Sequence, residues 1–600
     1  MQIKRKNDTP LSSSRGVKMS FTKLLSIVSV IITIGLQSST LASEKSAELM
    51  KQNLDFIGSI FEASYAPKDW KKHYAKWSIE ESIADLKNQI TPQTTTKDYQ
   101  RLLSQFFYSA KDYHVGFSFI SSEKASLPFT VKKAGNQFII VYIDREKLPN
   151  SSFPFNIGDE LVSFDGKPTQ EVVDLLVKSS GDNVKSTDES LATLFLTNRR
   201  GTKAQWVPKG SVKIEILPKG TEQKKSFQLA WNYTPERIQD PVFENYRIQP
   251  NPLKDLSLKT FSMNAQPKSL NHLMDQQMIF PEAVEINKSL AATPNPYGLG
   301  VKKSFLPDLG PILWQNEDSK FYHAYIYKNE KNKLIGMVRI ASYSTEISAH
   351  EAIVQFAALI NHLEKSTEAL VIDQVNNPGG SVFYLYALAS MLTEQPLYTP
   401  LHRMTLTQKQ IQETYDLLDQ LKGKSTEEMI KDIGGPTSTV SGYPVDYNMI
   451  QFAKNYAQFI INEWEKGKTI TDPYYIFGVD QINPSRIANY TKPILILTNE
   501  LDFSGGDFFP TIMQDNKRAK ILGTRTAGAG GYVLQVSYPN IFGLSSFSYT
   551  GSIAERIDKN PIENLGVTPD IEVPFTVKDL QGQYIDYKKR VNEEVQKLLQ

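Results

Sequence analysis

Two strand-turn segments in the C-terminal half of the chain constrain its fold more than any other feature. They span Ala369–Ala389 and Pro493–Gly531. Each begins with an apolar run of strand length, stops at a Gly-rich turn and continues into a helix-like stretch. Ser504 lies at the second turn, where its hydroxyl would stand at the end of a buried strand. Paired turns of this kind supply a nucleophile and free backbone N–H donors, the two parts that acyl transfer needs.

The surroundings of both turns indicate an α/β layered core over residues 311–600. Strand-like and helix-like stretches alternate here, beginning with an amphipathic helix predicted at His350–Ser366 and a strand at Ala369–Val375. Helical insertions are predicted at about Thr405–Asp432 and at Tyr447–Lys466. The sequence shows no internal repeat.

The first half of the chain divides into three parts. Residues 44–125 space their apolar residues at helical intervals and are predicted to form a helical region. Residues 126–233 are strand-rich, and the turn-strand-turn pattern from Ile157 to Pro168 is typical of a PDZ-like domain, with a generic α+β module as the alternative. Residues 234–310 are polar and irregular, which favours a functional loop, a linker or a processing segment.

The N-terminus is predicted to be a secretory signal peptide covering residues 1–43. Basic residues precede the short apolar stretch Leu24–Leu36, and small residues follow it up to Ala42 and Ser43, where we expect cleavage. An uncleaved anchor is the alternative, although the apolar stretch is short for one. We therefore expect export through an inner membrane, to the periplasm or beyond.

Composition excludes several classes of site. The chain has no cysteine, so it forms no disulfide, no thiolate metal site and no cysteine nucleophile. The formal net charge of +2 gives no reason to expect a nucleic-acid partner. No apolar run reaches 18 residues, so no stable membrane span is expected after signal removal. With no HExxH, P-loop or dinucleotide fingerprint, the sequence predicts neither a metal nor a cofactor.

The two turns each have a simpler interpretation. Ser504 is a favoured residue type for a helix N-cap, and it does not lie in a GxSxG motif. Gly379 and Gly380 could serve only as a strand-helix connector. In the functional interpretation, one of these two N–H groups joins that of Gly505 as an oxyanion hole, and the uncrowded Ser504 hydroxyl is the nucleophile.

The turn Asp373–Gly380, Ser504 and the tail Ile521–Gly531 resemble the serine-peptidase family of C-terminal processing (tail-specific) and tricorn core proteases. The resemblance covers about residues 331–574. It implies a ClpP/crotonase-like α/β protease core with an inserted PDZ-like domain, Ser504 as the nucleophile and no cofactor.

One position departs from the family pattern. Housekeeping members carry a catalytic lysine in a Thr-x-Gly-Lys-Gly segment, and the corresponding residue here is Ala529. A methyl group cannot accept a proton from Ser504. Either the protein is inactive or its base lies elsewhere, and histidine is the obvious replacement because it is neutral and basic near pH 7.

A secreted chlamydial branch of the same family uses serine, histidine and glutamate. Its histidine segment is similar to Asp112–Phe117, and its glutamate segment is similar to Pro561–Asp570. The resemblance therefore implies His114 as the base and Glu563 as the group that orients it. Glu555 and Asp558 compete for the role of Glu563. The histidines expected to be structural are His323, His350, His362 and His402.

The sequence thus predicts an exported serine endopeptidase that hydrolyses protein or peptide substrates, with self-cleavage within 234–310 as a further hypothesis. The resemblance also implies a homodimer and, by analogy, action on host proteins. Two alternatives stay open. One is a catalytically inactive binding protein on the same fold, and the other is a housekeeping tail-specific protease.

Overall fold

The computed structural model describes residues 44–237, 277–283, 295–317, 319–344, 348–432 and 439–600. Within these residues, seven strands form the central sheet of the C-terminal part. The first three strands in sheet order pair antiparallel and the rest pair parallel. In sheet order the strands are Ile312–Gln315, His323–Lys328, Leu334–Arg339, Ala369–Asp373, Ile494–Thr498, Lys520–Gly523 and Ile571–Glu572.

The two strands that lead into the Gly-rich turns lie at the centre of this sheet. Every residue of Ala369–Asp373 and of Ile494–Thr498 is buried, and Val371 is paired with Leu495. Continuous apolar strands of this kind need cover on both faces. One face packs on Ala349–Ser366, Val382–Ser390 and Gly505–Asp515, and the other on the C-terminal helix Ile585–Leu598. This arrangement confirms the predicted α/β layered core.

Because parallel strands carry their C-terminal ends to one edge, the two Gly-rich turns meet there. Helical insertions flank this layer at Gln408–Leu421, Thr426–Asp432 and Tyr447–Glu465, close to the predicted bounds. A strand pair formed by Val533–Ser537 and Leu544–Thr550 extends from the core towards the N-terminal region. The remaining short elements of the C-terminal part are Gly379–Ser381, Leu397–Tyr398, Leu401–Met404, Thr439–Val440, Tyr443–Pro444, Tyr474–Tyr475, Ile476–Gly478, Gln481–Ile482, Ser552–Glu555 and Val577–Gln581.

The N-terminal region is helical, as predicted, and packs against the core through an aromatic cluster. Its helices span residues 44–64, Lys68–Tyr74, Ile79–Gln89 and Thr96–Ser109. The strand Phe117–Phe119 pairs antiparallel with Leu544–Thr550 of the core. Phe61 lies at the centre of the cluster, with its ring 5.1 Å from that of Phe106 and 6.2 Å from that of Phe547. The segment that carries His114 is therefore held against the core by packing.

The next part of the chain forms a separate sheet in which six of the described strands participate. Its helices are Thr169–Ser179, which directly follows the predicted turn-strand-turn pattern, and Lys185–Leu196, which was not predicted from the sequence. A smaller sheet joins Lys124–Ser126 to Asn198–Arg200 and Asn232–Thr234. The strands of the main sheet are Phe129–Ala134, Gln137–Ile143, Glu160–Phe164, Lys167–Pro168, Ser211–Leu217 and Lys225–Ala230.

The predicted signal peptide, residues 1–43, lies outside the described residues, as does most of the segment 234–310. A short strand of that segment, Gln277–Ile279, is described and pairs with the core. Among the described helices, none combines the length and the apolar character that crossing a membrane requires.

Candidate active site

Ser504 lies in the turn that follows the central strand Ile494–Thr498, directly before the helix Gly505–Asp515. Its backbone has φ 57° and ψ −110°, a conformation that costs free energy for a residue with a side chain. Its N–H donates to Asp507 Oδ2 at 2.7 Å. The hydroxyl is fully buried and makes no hydrogen bond to any described residue. Its oxygen is therefore not used as an N-cap acceptor, which leaves it free for chemistry.

The two Gly-rich turns are bound directly to each other. The Asn377 N–H donates to Asp502 Oδ1 at 2.9 Å, and the Phe503 N–H donates to Asn377 O at 2.8 Å. A Cβ atom on Gly505 would lie 3.2 Å from the Gly380 nitrogen. Only glycine at position 505 allows this approach without displacing a neighbour, so the backbone N–H groups of the two turns can converge.

The two glycines of the first turn differ in their hydrogen bonding. The Gly379 N–H donates to Asn377 Oδ1 at 2.9 Å, so it is already engaged within its own turn. Gly380 adopts φ 152° and packs so closely on the Tyr343 backbone that a Cβ would lie 2.1 Å from the Tyr343 carbonyl carbon. The two glycines, which the sequence could not distinguish, therefore differ in their contacts.

His114 lies between the helix Thr96–Ser109 and the strand Phe117–Phe119. Its N–H donates to Asp112 Oδ1 at 2.8 Å, and its carbonyl accepts from Ser548 Oγ at 2.9 Å. The ring is fully buried, and neither ring nitrogen has a hydrogen-bond partner among the described residues. Burial lowers the pKa of His114 to about 4, although Asp112 acts in the opposite direction. The imidazole is therefore neutral at pH 7, as a general base must be.

Glu563 is fully buried beside this histidine. Its Oε1 forms an ion pair with Lys71 Nζ, and its Oε2 accepts from the Gly530 N–H at 2.9 Å. Burial and the neighbouring Asp112 raise the pKa of Glu563, while the Lys71 ammonium lowers it. Asp112, His114 and Glu563 each present one side-chain nitrogen or oxygen, and these three atoms lie within 4.8 Å of one another. The structure thus brings together the histidine and the glutamate that the sequence singled out.

The segments of Ser504 and His114 are also in contact. The ring centroid of Tyr113 lies 5.3 Å from that of Phe503, so the residues immediately before His114 and Ser504 pack on each other. The serine hydroxyl and the imidazole do not share a hydrogen bond. Catalytic hydrogen bonds often form only when substrate is bound, so this geometry is compatible with a role for both groups.

Sequence reasoning missed Lys71 and gave no role to Asp112. Lys71 Nζ donates to Lys111 O at 2.6 Å and to Asn564 Oδ1 at 2.8 Å, in addition to its ion pair with Glu563. The second oxygen of Asp112 accepts from two hydroxyls, those of Tyr65 and Thr550, at 2.9 and 2.7 Å. Nothing distinguishes Lys71 from the lysines around it in the sequence, whereas Asp112 lies in the same short segment as His114.

The three atoms of Asp112, His114 and Glu563 also have the spacing of a cation site. The positive charge that faces Glu563 in this structure is the Lys71 ammonium, which is itself fully buried.

The position of the family lysine is occupied by an apolar residue. Ala529 is fully buried in a cluster with Leu501 and Phe503. Asp507 fixes this segment by accepting the N–H groups of Gly528 and Ala529 at 2.8 and 2.9 Å. Burial raises the pKa of Asp507 to about 6. Asp507 is a further residue that the sequence analysis did not single out.

The competing carboxylates lie elsewhere. Glu555 forms an ion pair with Arg403 at 2.7 Å, and Asp558 accepts from the Asn560 N–H at 2.9 Å. His402 is buried at 3.1 Å from Ser552 Oγ and stacks on Phe508. His323 lies in a strand, and His350 and His362 lie in the helix Ala349–Ser366, so these residues have the structural settings that were expected.

Comparisons with known proteins agree with this geometry. The sequence model of the PDZ domain matches residues 123–238, and that of peptidase family S41 matches residues 334–573. An uncharacterized protein of Chlamydia muridarum is 34% identical over 573 residues, which cover 91% of this chain and 92% of that protein. This chain belongs to peptidase family S41.

Solved structures support the same assignment for the S41 peptidase described here. Mature CPAF is 33% identical, with a TM-score of 0.78 over 92% of this chain and 98% of that chain. A complex of mature CPAF with lactacystin is 32% identical, with a TM-score of 0.77 over 92% and 99% of the two chains. The predictions of a serine peptidase, of a PDZ domain and of a CPAF-like architecture are thereby confirmed. The PDZ match overlaps the predicted boundaries 126–233.

Proposed function

We propose that this S41 peptidase is an endopeptidase in which Ser504, His114 and Glu563 act as a triad. Ser504 Oγ attacks the peptide carbonyl while its proton passes to the imidazole, and the imidazole then gives that proton to the leaving amine. Water releases the acyl group by the same steps in reverse. Glu563 orients His114 and stabilises its charged form. One observation carries the proposal: a buried, neutral histidine without a hydrogen-bond partner lies beside Glu563.

The oxyanion is assigned to the N–H groups of Gly505 and Gly380. The close approach of these two residues supports this choice, as does the engagement of the Gly379 N–H by Asn377. Loss of one such donor typically costs about 3 kcal/mol in the barrier.

A labelling experiment tests the triad. A fluorophosphonate probe should label the wild type, and Ser504→Ala should abolish labelling because the nucleophile is gone. His114→Ala should lower kcat/KM by roughly 10²–10⁴, the usual contribution of a general base, with unchanged circular dichroism. His350→Ala, at an exposed position, is the matched control and should retain full activity.

Normal turnover by His114→Ala would contradict the assignment of the base. Absence of labelling in the folded wild type would instead favour the inactive binding protein, for which the apolar Ala529 is the specific observation.

We further infer that the enzyme cuts itself within 234–310 and that, until it does so, the strand Gln277–Ile279 blocks the substrate groove. The strand Gln277–Ile279 pairs antiparallel with Gly379–Ser381, beside the proposed oxyanion hole. The Phe280 N–H donates to Pro378 O at 2.7 Å, and the Phe280 ring stacks on that of Phe503 at 4.1 Å. Addition of an extended peptide to a strand edge is a common way to bind substrates and inhibitors.

N-terminal sequencing tests this inference. Purified wild type should generate new N-termini within 234–310 during incubation, while Ser504→Ala stays intact. A fully active chain that remains uncut would contradict it.

Export belongs to the same proposal. It is supported by the basic, apolar and small-residue order of positions 1–43, which lie outside the described residues. We also propose a homodimer and, by analogy, action on host proteins, as the family resemblance in the sequence implies. Cell fractionation of a tagged chain would test export, and light scattering of the purified protein would test the homodimer.

A further inference from the structure

A cavity of about 1020 Å³ lies between the N-terminal helices and the PDZ domain. Residues of the helix Thr96–Ser109 line one side, and residues of the helix Thr169–Ser179 line the other. Segments around Arg199 and Trp206 complete the wall. None of Ser504, His114 and Glu563 is among the residues that line it. The cavity is therefore separate from the active site.

The lining is strongly cationic. Eight lysines and arginines border the cavity, and Asp165 is the one acidic residue among the described residues that do so. Four of these cations already pair with carboxylates outside the lining, which leaves four without an ion pair among the described residues. The chain as a whole is nearly balanced, with 67 basic and 65 acidic residues. The unpaired cations lie on both sides, Lys76 and Lys111 on the helical region and Lys178 and Arg199 on the side of the PDZ domain. A ligand that matched them would carry several negative charges along its length.

Arg199 is the most unusual of these cations. Its side chain is only 8% exposed, and one guanidinium nitrogen donates to Asn198 O at 2.9 Å. No carboxylate among the described residues pairs with it, and its other N–H groups find no acceptor there. Burial alone lowers the pKa of Arg199, to about 10, which leaves it charged at neutral pH. The other guanidinium nitrogens are not among the buried polar atoms that lack a partner, so they reach the solvent of the cavity, where an anion could bind them.

The rest of the lining is apolar and aromatic. Three of the six tryptophans of the chain, Trp77, Trp206 and Trp231, border the cavity. Trp206 is 73% exposed, and Leu175 nearby is 51% exposed. Exposed aromatic and aliphatic side chains next to cations are typical of surfaces that bind amphipathic ligands.

We propose that this cavity binds an acidic polypeptide segment that carries apolar side chains. One carboxylate pairs with Arg199, further carboxylates meet the lysines of both walls, and the apolar side chains pack on Trp206 and Leu175. Separated cations on two walls favour a chain of carboxylates over a single compact anion. The site would hold a substrate or partner at a distance from the scissile bond, so its existence does not depend on the proposed triad.

Tryptophan fluorescence tests the proposal in the full chain with Ser504→Ala, which cannot cut the probe. The probe is a tryptophan-free decapeptide of alternating glutamate and leucine, acetylated and amidated so that it carries no terminal carboxylate. We expect saturable binding that weakens with added salt and a signal that is reduced by Trp206→Phe. A peptide with lysine in place of glutamate should not bind.

Variants locate the site. Arg199→Met should weaken binding at least tenfold, and Lys178→Glu, at an exposed position, should do so without risk to the fold. Lys225→Glu makes the same charge change on the same domain but outside the cavity, and it should leave affinity unchanged.

The proposal is overturned if the acidic peptide does not saturate, or if the two cavity variants bind as tightly as the parent. Tighter binding of phosphatidylglycerol vesicles or of an oligothymidylate at the same residues would overturn the assignment to a polypeptide. Each of these results leaves the labelling of Ser504 unaffected.

Discussion

Lys71 and Arg199 are two buried cations in the N-terminal half of the molecule, and they are held in opposite ways. Lys71 Nζ has three acceptors, one of them the buried Glu563 carboxylate. Arg199 has one carbonyl acceptor and no anion among the described residues. The burial of a charged side chain therefore does not by itself indicate its role. The partners of Lys71 identify it as part of the site, and the missing partner of Arg199 points to a ligand.

His402 is a third case that completes this comparison. It is fully buried and also lacks an anion, but an imidazole can release its proton, and burial lowers its pKa to about 3. A guanidinium does not lose its proton near neutral pH and so keeps its charge. The buried histidine without an anion becomes neutral, whereas the arginine without one remains a cation.

The largest expected effect comes from breaking the partnered pair. Lys71→Met leaves Glu563 buried without its cation, and the loss of one member of a buried ion pair typically costs about 3–5 kcal/mol. We expect this loss in the free energy of unfolding, measured by urea denaturation, together with a large drop in kcat. Lys68→Met is the control on the same helix, since Lys68 pairs with Glu62 near the surface, and it should cost under about 1 kcal/mol.

A double variant shows whether the unpaired charge of Glu563 causes the stability loss of Lys71→Met. Glu563→Gln combined with Lys71→Met removes both charges and should recover part of the stability that Lys71→Met loses, without recovering activity. Additive losses would mean that Lys71 acts through packing alone.

An intermediate effect on stability is expected from the neutral, buried His402. Because burial lowers the pKa of His402 below that of an unfolded histidine, the unfolded state binds more protons below pH 6.5. Its contribution to stability is thus complete above pH 6.5 and is lost as the pH falls towards about 3. Between pH 6.5 and 5, the wild type should lose roughly 2 kcal/mol more than His402→Phe. Equal slopes of unfolding free energy against pH would contradict this.

The smallest effect on stability should come from the unpartnered cation. Arg199→Met removes a buried charge that has no anion, so the free energy of unfolding without ligand should stay the same or rise by up to about 1 kcal/mol. A loss of several kcal/mol in calorimetry would show that Arg199 has a structural partner after all. The difference in unfolding free energy between Arg199→Met and Lys71→Met tests most directly whether the two buried cations are held in opposite ways.

The sequence predicted what local patterns encode. Continuous apolar runs predicted the buried strands Ala369–Asp373 and Ile494–Thr498, and the glycines after them predicted turns that meet at one edge. The resemblance singled out His114 and Glu563, which the structure brings together. The helix Lys185–Leu196 was missed, since it follows a short polar stretch and begins without a capping side chain.

Contacts between distant segments could not be predicted in this way. Lys71 and Glu563 are separated by 492 positions, and no local pattern joins them. The cationic cavity is likewise a product of two regions that pack side by side, so Arg199 resembles any surface arginine until the other wall is known.

The strand Gln277–Ile279 is attached to the protein at both ends while it pairs with Gly379–Ser381. A tethered segment of this kind experiences an effective concentration on the order of millimolar at its groove. A free polypeptide of equal intrinsic affinity at micromolar concentration would then occupy the groove only about one thousandth as often. Cuts on both sides of the strand would remove this intramolecular competitor permanently. The activity of each molecule would then depend on whether it had already been cut, and not on the substrate concentration.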